Sequence, residues 1–76
     1  MQELLEILSD IKPGIDFEHE TGLIDKGLLE SLTIITIVSE IKETFDVEIS
    51  VMDLIPENFN SASAMMAMIE RLQNEE

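Results

Sequence analysis

The chain has 76 residues, no cysteine, and seventeen acidic against four basic residues, which gives a net charge of −13. A chain of this length buries only about 60% of its unfolded surface, which argues for one small domain and against a sizeable enclosed active site. The charge argues against nucleic acid and anionic membranes as partners, because both are bound by neutralising phosphate with lysine and arginine.

The excess of acidic residues favours a partner protein with a basic surface, since long-range attraction raises association rates. Solubility alone accounts for a charge of up to about 8 in a small domain. The apolar fraction of 45% argues against disorder, and no apolar run approaches the roughly 18 residues of a membrane span. Because the first three residues are not a basic signal region, we predict a cytoplasmic location without membrane insertion.

Residues 2–11 are predicted to form the first helix. Leu4, Leu8 and Ile11 recur at the spacing of an amphipathic helix. The proline and glycine at 13–14 end it, because proline cannot continue a helix and glycine allows unusual backbone angles.

Residues 15–30 show no clean period and are predicted to form a long loop with room for a helical turn. A loop of this length is unusual in so small a domain unless something holds it in place. We expect its apolar side chains to attach it to the core. They are Ile15, Phe17, Leu23, Ile24, Leu28 and Leu29.

Residues 31–45 are predicted to form a helix despite their many β-branched residues, which favour a strand by propensity. Ile34, Val38, Ile41 and Phe45 fall within roughly 60° of one another on a helical wheel, whereas strict alternation fails. The opposite, exposed face is predicted to carry Leu32, Thr36, Ser39, Glu40 and Glu43.

The last third of the chain is predicted to contain one short and one long helix. After an alternating extended stretch at 47–51, residues 51–55 form a brief helix that Pro56 closes. Ser61 is a good N-cap for the final helix, and residues 74–76 are expected to fray. The inward residues of this helix are predicted to be Ala62, Met65, Ile69 and Leu72, with Met66 and Met68 filling edges.

No residue pattern indicates an active site or a metal site. His19 is the only histidine and is interpreted as a solvated loop residue. The acidic residues around it lack the glycine and the terminal glutamate of a calcium-binding loop. With no cysteine there is no thiolate metal site, and no phosphate-binding or dinucleotide-binding motif is present.

Ser31 is the candidate functional residue, because it begins the best-defined amphipathic helix and precedes the exposed Leu32. An anionic group attached there would lie where free backbone N–H groups and the positive helix end favour negative charge. The alternative is that Ser31 is an ordinary N-cap, as serine at a helix start usually is.

Four segments in chain order resemble the acyl carrier protein family. Residues 26–32, Lys-Gly-Leu-Leu-Glu-Ser-Leu, are similar to the family's box around its modified serine, and residues 21–25, Thr-Gly-Leu-Ile-Asp, to the approach to that box. Residues 43–49, Glu-Thr-Phe-Asp-Val-Glu-Ile, resemble the end of the family's second helix, and residues 59–62 the entry into its last helix.

This resemblance implies an all-α, four-helix bundle over residues 1–76 as a single carrier domain, with three main helices, one short helix and a long loop between the first two. It implies 4′-phosphopantetheine attached to Ser31 by a transferase that uses coenzyme A, and an acyl or aminoacyl thioester on its thiol. The chain itself is then a monomeric, non-catalytic, free-standing carrier. Its partners are the transferase and the acyl- or aminoacyl-loading and transfer enzymes, which contact Glu30, Leu32, Thr36, Glu40 and Glu43 through basic docking surfaces.

Departures from the family pattern bear on the pathway. Glu30 replaces the usual aspartate, and Thr33, Thr36 and Ser39 make the outer face of this helix less acidic than in fatty-acid carriers. Fatty-acid, polyketide, specialised lipid and aminoacyl pathways stay open, and the serine box resembles that of D-alanyl carriers. Less favoured alternatives are an unmodified acidic adaptor of the same fold, and a bundle whose methionines admit the acyl chain.

Overall fold

Four α-helices and one 3₁₀ turn make up the regular structure of residues 1–75, the part of the chain that the computed structural model describes. The α-helices are α1 (Gln2–Ile11), α2 (Ser31–Phe45), α3 (Pro56–Phe59) and α4 (Ala62–Asn74), and the 3₁₀ turn is Val51–Asp53. Helix α1 packs against α2 and α4, and α3 packs against α4. Because residues 1–75 contain no strand, the predicted all-α bundle with a long first loop is confirmed.

The predicted first helix has the predicted bounds. Leu4 and Leu8 are fully buried and Ile11 packs against the core cluster, as their spacing indicated. The helix ends before Gly14, which has a φ of +96°, a left-handed conformation that glycine adopts without steric cost.

The loop between α1 and α2 is attached to the core by apolar side chains, as predicted. Phe17, Leu23 and Leu29 are buried in it, and Ile15, Ile24 and Leu28 pack against it. A hydrogen-bonded turn from Gly22 to Gly27 supplies the local structure within this loop. Burial of these side chains therefore keeps sixteen residues without regular helix or strand in place.

Helix α2 buries a face that differs from the predicted one. Ile41 is fully buried as expected, but the second fully buried residue is Ile37, which lay outside the predicted stripe. Ile34 and Val38 are only partly buried. The buried face is thus rotated by about 50° from the predicted one at 100° per residue, because α2 turns towards α1 and leaves Ile34 at the edge of an open pocket.

The predicted short helix over 51–55 is present only as the 3₁₀ turn Val51–Asp53, and Pro56 does not close it. Pro56 begins α3, because its missing N–H costs nothing at a first helical position. The residue before it, Ile55, is extended (φ −118°, ψ 150°), as residues before proline usually are. Val51 does not continue the inward alternation of Val47 and Ile49, because its side chain is 84% exposed.

Helix α4 begins as predicted and buries one more methionine than predicted. The Ser61 side chain accepts a hydrogen bond from the Ala64 N–H at 3.0 Å, so Ser61 is the N-cap. Ala62, Met65, Ile69 and Leu72 are all buried. Met68 belongs to this core and not to an edge, at 2% exposure, because it lies three residues after Met65 on the same face.

The C-terminal end of α4 is more ordered than expected. The helix continues through Asn74, and the Glu75 N–H donates to the Leu72 carbonyl. Glu76, the last residue predicted to fray, lies outside the described residues. No helix within residues 1–75 has the length and apolar content to cross a membrane.

Candidate functional site

Ser31 is the first residue of α2, but it is not the N-cap. The N-cap is Glu30, whose backbone is extended (φ −89°, ψ 163°), and no side chain caps this helix end. Ser31 is exposed, and its hydroxyl makes no hydrogen bond to any other residue of 1–75. The alternative role of Ser31 as an ordinary helix cap is therefore wrong, because Glu30 occupies the N-cap position.

The start of α2 provides a favourable place for an attached anion. The first hydrogen bond of the helix runs from the Ile34 N–H to the Glu30 carbonyl at 2.9 Å, so the preceding N–H groups lack helical partners. No acidic residue lies in the first turn of α2. Free N–H groups and the positive end of the helix dipole together stabilise a negative charge at this position.

Exposed apolar residues follow Ser31 on α2. Leu32 is 76% exposed, as its wheel position predicted, and Ile35 is 64% exposed. Ile35 was not among the predicted contact residues, although its position beyond the edge of the apolar stripe was a usable signal. Both side chains are available to a protein that approaches Ser31.

The predicted partner-binding residues lie on the exposed side of α2. Thr36, Glu40 and Glu43 are all exposed, and Glu30 is exposed immediately before the helix. The Thr36 hydroxyl is used within the helix, where it donates to the Leu32 carbonyl at 3.0 Å. No ion pair within residues 1–75 involves the three glutamates, so their carboxylates are available to a basic partner.

A second exposed apolar stretch is found at the 3₁₀ turn and after it. Its members, none of which was predicted as a contact residue, are Val51, Met52, Leu54 and Ile55. Asp53 fixes this stretch, because its carboxylate accepts hydrogen bonds from Arg71 at 3.0 Å and from the Ser50 N–H at 3.1 Å. The hydrogen bond from Arg71 is the main reason that the pKa of Asp53 lies below its usual value.

An apolar pocket of about 140 Å³ opens between these two regions. It is lined by Ile24, Ile34, Leu54, Ile55, Pro56 and Phe59. Ile34 lies three residues after Ser31, so the two side chains are neighbours on the surface of α2. A pocket of this volume matches the roughly 150 Å³ apolar cavity that takes up one benzene molecule.

None of Met65, Met66 and Met68 lines this pocket. Met65 and Met68 instead fill the core, where they are fully or almost fully buried. The space next to Ser31 is bordered by the first loop, α2 and α3.

Asn60 holds the approach to Ser31, a role that its place in the family-like segment 59–62 did not predict. Its side-chain Oδ1 accepts hydrogen bonds from the backbone N–H groups of Ile24 at 2.9 Å and Asp25 at 3.0 Å. Its backbone carbonyl accepts from the Leu23 N–H at 2.9 Å. These contacts join positions 35 and 36 residues apart, which is why no local pattern revealed them.

His19 lies in the first loop with an exposed side chain, and its ring Nδ1 is 2.9 Å from Asp16 Oδ2. This hydrogen bond, with the charges of Asp16 and Glu18, raises the pKa of His19 above its ordinary value. Within residues 1–75 no group of three or more acidic or histidine side chains is arranged to hold a metal ion.

Comparison with known proteins identifies relatives over almost the whole chain. A family model described as "phosphopantetheine attachment site" matches residues 2–73. The D-alanyl carrier protein of Lactobacillus acidophilus is 25% identical over 75 residues, which cover 97% of this chain and 95% of the relative. The D-alanyl carrier proteins of Lactobacillus delbrueckii subsp. bulgaricus (25% over 77 residues, 99% and 95%) and Lactobacillus helveticus (24% over 75 residues, 97% and 95%) are similar.

Proposed function

Because this chain belongs to the family of phosphopantetheine attachment domains, we propose that it is a carrier protein and that Ser31 is the residue that receives 4′-phosphopantetheine. The observation that carries this assignment is the exposed, unbonded hydroxyl of Ser31 at an uncapped helix start. The residues around it suit a phosphodiester, since free backbone N–H groups face the attachment point.

Attachment is a phosphoryl transfer that a separate enzyme catalyses. The Ser31 oxygen forms a bond to the phosphorus that carries the pantetheine, the bond from that phosphorus to the rest of coenzyme A breaks, and 3′,5′-ADP leaves. The hydroxyl proton passes to a base of the transferase. Ser31 needs no deprotonating neighbour of its own, and residues 1–75 place no histidine or carboxylate in hydrogen-bonding contact with its side chain.

The attached arm supplies a terminal thiol that holds an acyl or aminoacyl group as a thioester. The residues of the chain contribute position and recognition, and we propose no catalytic role for any of them. Tethering makes the reaction with a docked enzyme effectively intramolecular, and this accelerates transfer without any new contact to the cargo. We also propose that the protein is a cytoplasmic monomer with a single carrier domain over residues 1–76.

For the cargo we propose a small aminoacyl group, with D-alanine the first candidate. Two observations support this choice. The relatives described above are D-alanyl carrier proteins, and the pocket beside Ser31 is only about 140 Å³. An alanyl group needs no enclosed space, whereas a long acyl chain is larger than the pocket beside Ser31. A fatty-acyl or polyketide cargo is the second candidate, favoured only by the apolar lining of that pocket.

We propose that loading and transfer enzymes contact the chain along the exposed face of α2. Leu32 supplies the apolar contact next to the attachment point, and Glu30, Thr36, Glu40 and Glu43 surround it. With a net charge of −13, docking is expected to weaken as salt concentration rises, because exposed charges are screened beyond about 10 Å at 0.1 M salt.

Intact mass spectrometry tests the attachment residue. The protein is incubated with coenzyme A and each of two phosphopantetheinyl transferases, alongside the variants Ser31→Ala and Ser39→Ala. Ser39 is the matched control, because it is an exposed serine on the same helix. We expect one added phosphopantetheine in the wild type and in Ser39→Ala, and none in Ser31→Ala. A mass gain in Ser31→Ala, or none in the folded wild type, refutes the assignment.

The cargo is tested on protein isolated from its own cells at acidic pH, which preserves thioesters. Hydroxylamine releases the bound group, and its mass identifies it. Alanine hydroxamate is expected, whereas a long-chain hydroxamate would establish the second candidate. If the chain were an unmodified adaptor, Ser31→Ala would leave function intact, and charge reversal of Glu40 or Glu43 would still abolish it.

A further inference from the structure

Three consecutive backbone N–H groups of the first loop converge on one residue, Asn60. The Leu23 N–H donates to its backbone carbonyl, and the N–H groups of Ile24 and Asp25 both donate to its side-chain oxygen. These distances lie between 2.9 and 3.0 Å, which is the usual range for such hydrogen bonds. Asn60 therefore fixes the turn that leads to Ser31 against the start of α4.

The same contacts connect two parts of the chain that line the apolar pocket. Ile24, whose N–H donates to the Asn60 side chain, lines the pocket, and so does Phe59, the residue before Asn60. Movement of Ile24 away from Phe59 would widen the pocket and would break the hydrogen bonds to the Asn60 side chain. A part-buried donor that loses its partner is costly, so the bonds oppose widening.

We propose that Asn60 is a specificity-determining residue that keeps the pocket beside Ser31 too small for a long acyl chain. This inference rests on the proposed carrier function and deepens it, because it gives a physical reason for a small cargo. With the Asn60 contacts intact, a long chain on the arm stays in solvent. Without them, the pocket expands and the bundle takes the chain in.

Another asparagine of the same region provides a matched control. The Asn58 side chain donates to the Asp53 carbonyl at 2.8 Å and is part-buried. Both partners lie within residues 53–59, so this bond does not connect that stretch to the first loop. Asn58→Ala removes a similar hydrogen bond without releasing the turn at Ile24. Asn60→Asp keeps an oxygen acceptor for both N–H groups.

The test uses the full chain loaded by a phosphopantetheinyl transferase from acetyl-coenzyme A or decanoyl-coenzyme A. Melting temperatures of the two loaded forms are compared, since burial of the chain in the folded state alone stabilises that state. In the wild type, Asn58→Ala and Asn60→Asp, we expect the two forms to melt within about 1 °C of each other. In Asn60→Ala we expect the decanoyl form to melt at least about 4 °C higher.

Three results would overturn the proposal. The first is a higher melting temperature of the decanoyl form already in the wild type. The second is no such increase in Asn60→Ala, and the third is an increase in Asn58→Ala as large as that in Asn60→Ala. A second arm titrates the unloaded proteins with 1-octanol and follows the amide NMR signals of Ile24 and Phe59. We expect Asn60→Ala to bind 1-octanol at least about fivefold more tightly than the wild type does. Equal affinities of the two proteins would contradict the proposal. If the wild type gains no mass on incubation with the transferase and an acyl-coenzyme A, the proposed carrier function is refuted. The titration with 1-octanol needs no attached arm, so it still tests the role of Asn60.

Discussion

Ser31 and Ser61 both lie at the start of a helix, and alanine substitution is expected to affect the stability of the protein differently at the two positions. Ser61 accepts a hydrogen bond from the Ala64 N–H at 3.0 Å, and its loss leaves that donor unpaired. We expect Ser61→Ala to lower the free energy of unfolding by about 1 kcal/mol. In a domain of this size that corresponds to a melting temperature lower by about 4–8 °C.

Ser31 is expected to behave differently, because it lies one residue inside α2 and its side chain makes no hydrogen bond within residues 1–75. We expect Ser31→Ala to change the free energy of unfolding by less than about 0.5 kcal/mol. Conversely, Glu30→Asp introduces a side chain of good capping geometry at the N-cap and is expected to stabilise the protein by about 0.5–1 kcal/mol.

The assay is urea denaturation of the unmodified protein, followed by the helical circular dichroism signal. Equal slopes of the unfolding free energy against urea are needed for the comparison, since a changed slope indicates a changed unfolded or folded state. If Ser31→Ala destabilises the protein as much as Ser61→Ala, the Ser31 hydroxyl caps α2 in solution. The loss of modification in Ser31→Ala would then no longer be separable from a change in the fold.

Two further pairs of measurements test the packing of α2 and the charge of the first loop. Ile37→Ala is expected to lower the free energy of unfolding by about 2–5 kcal/mol, because Ile37 is fully buried. Ile35 is exposed, so Ile35→Ala is expected to lower it by less than about 0.5 kcal/mol. Similar losses in the two variants would contradict the observed rotation of the buried face of α2. Because Asp16 raises the pKa of His19 above 6.5, the stabilisation that the protonated ring provides is complete below pH 6.5 and is lost as pH rises through the folded-state pKa. The melting temperature of His19→Gln is therefore expected to fall further below that of the wild type at pH 5 than at pH 8.5, and an equal difference at both pH values would refute this.

Local patterns were sufficient for the bounds of α1 and α2 and for the start of α4. The bounds of α1 and α2 followed from apolar spacing and from the proline and glycine after Ile11. The cap of α4 followed from Ser61, whose side chain bonds within its own helix start. Ser31 was identified from its place before Leu32 and from the resemblance of the surrounding segments to a known family.

Errors arose where a residue's environment depends on distant parts of the chain. The helical wheel of α2 predicted an apolar stripe but not the centre of its buried face, because β-branched residues also lie on both sides of that stripe. The packing of α2 against α1 decides that Ile37 is buried. Pro56 was interpreted as the end of a helix, although proline suits a helix start equally well. Only the packing of α3 against α4 distinguishes the two.

The sequence by itself determined the all-α class, the acidic character and the serine at a helix start, since each depends on composition or on residues within a few turns of one another. The tertiary structure decided that Ser31 does not cap α2, that an apolar pocket lies beside it, and that Asn60 binds the backbone of the loop that leads to it. These features join residues up to 36 positions apart. Such contacts form only when burial of the first loop and the helices brings distant residues together, and no periodic pattern in the sequence predicts them.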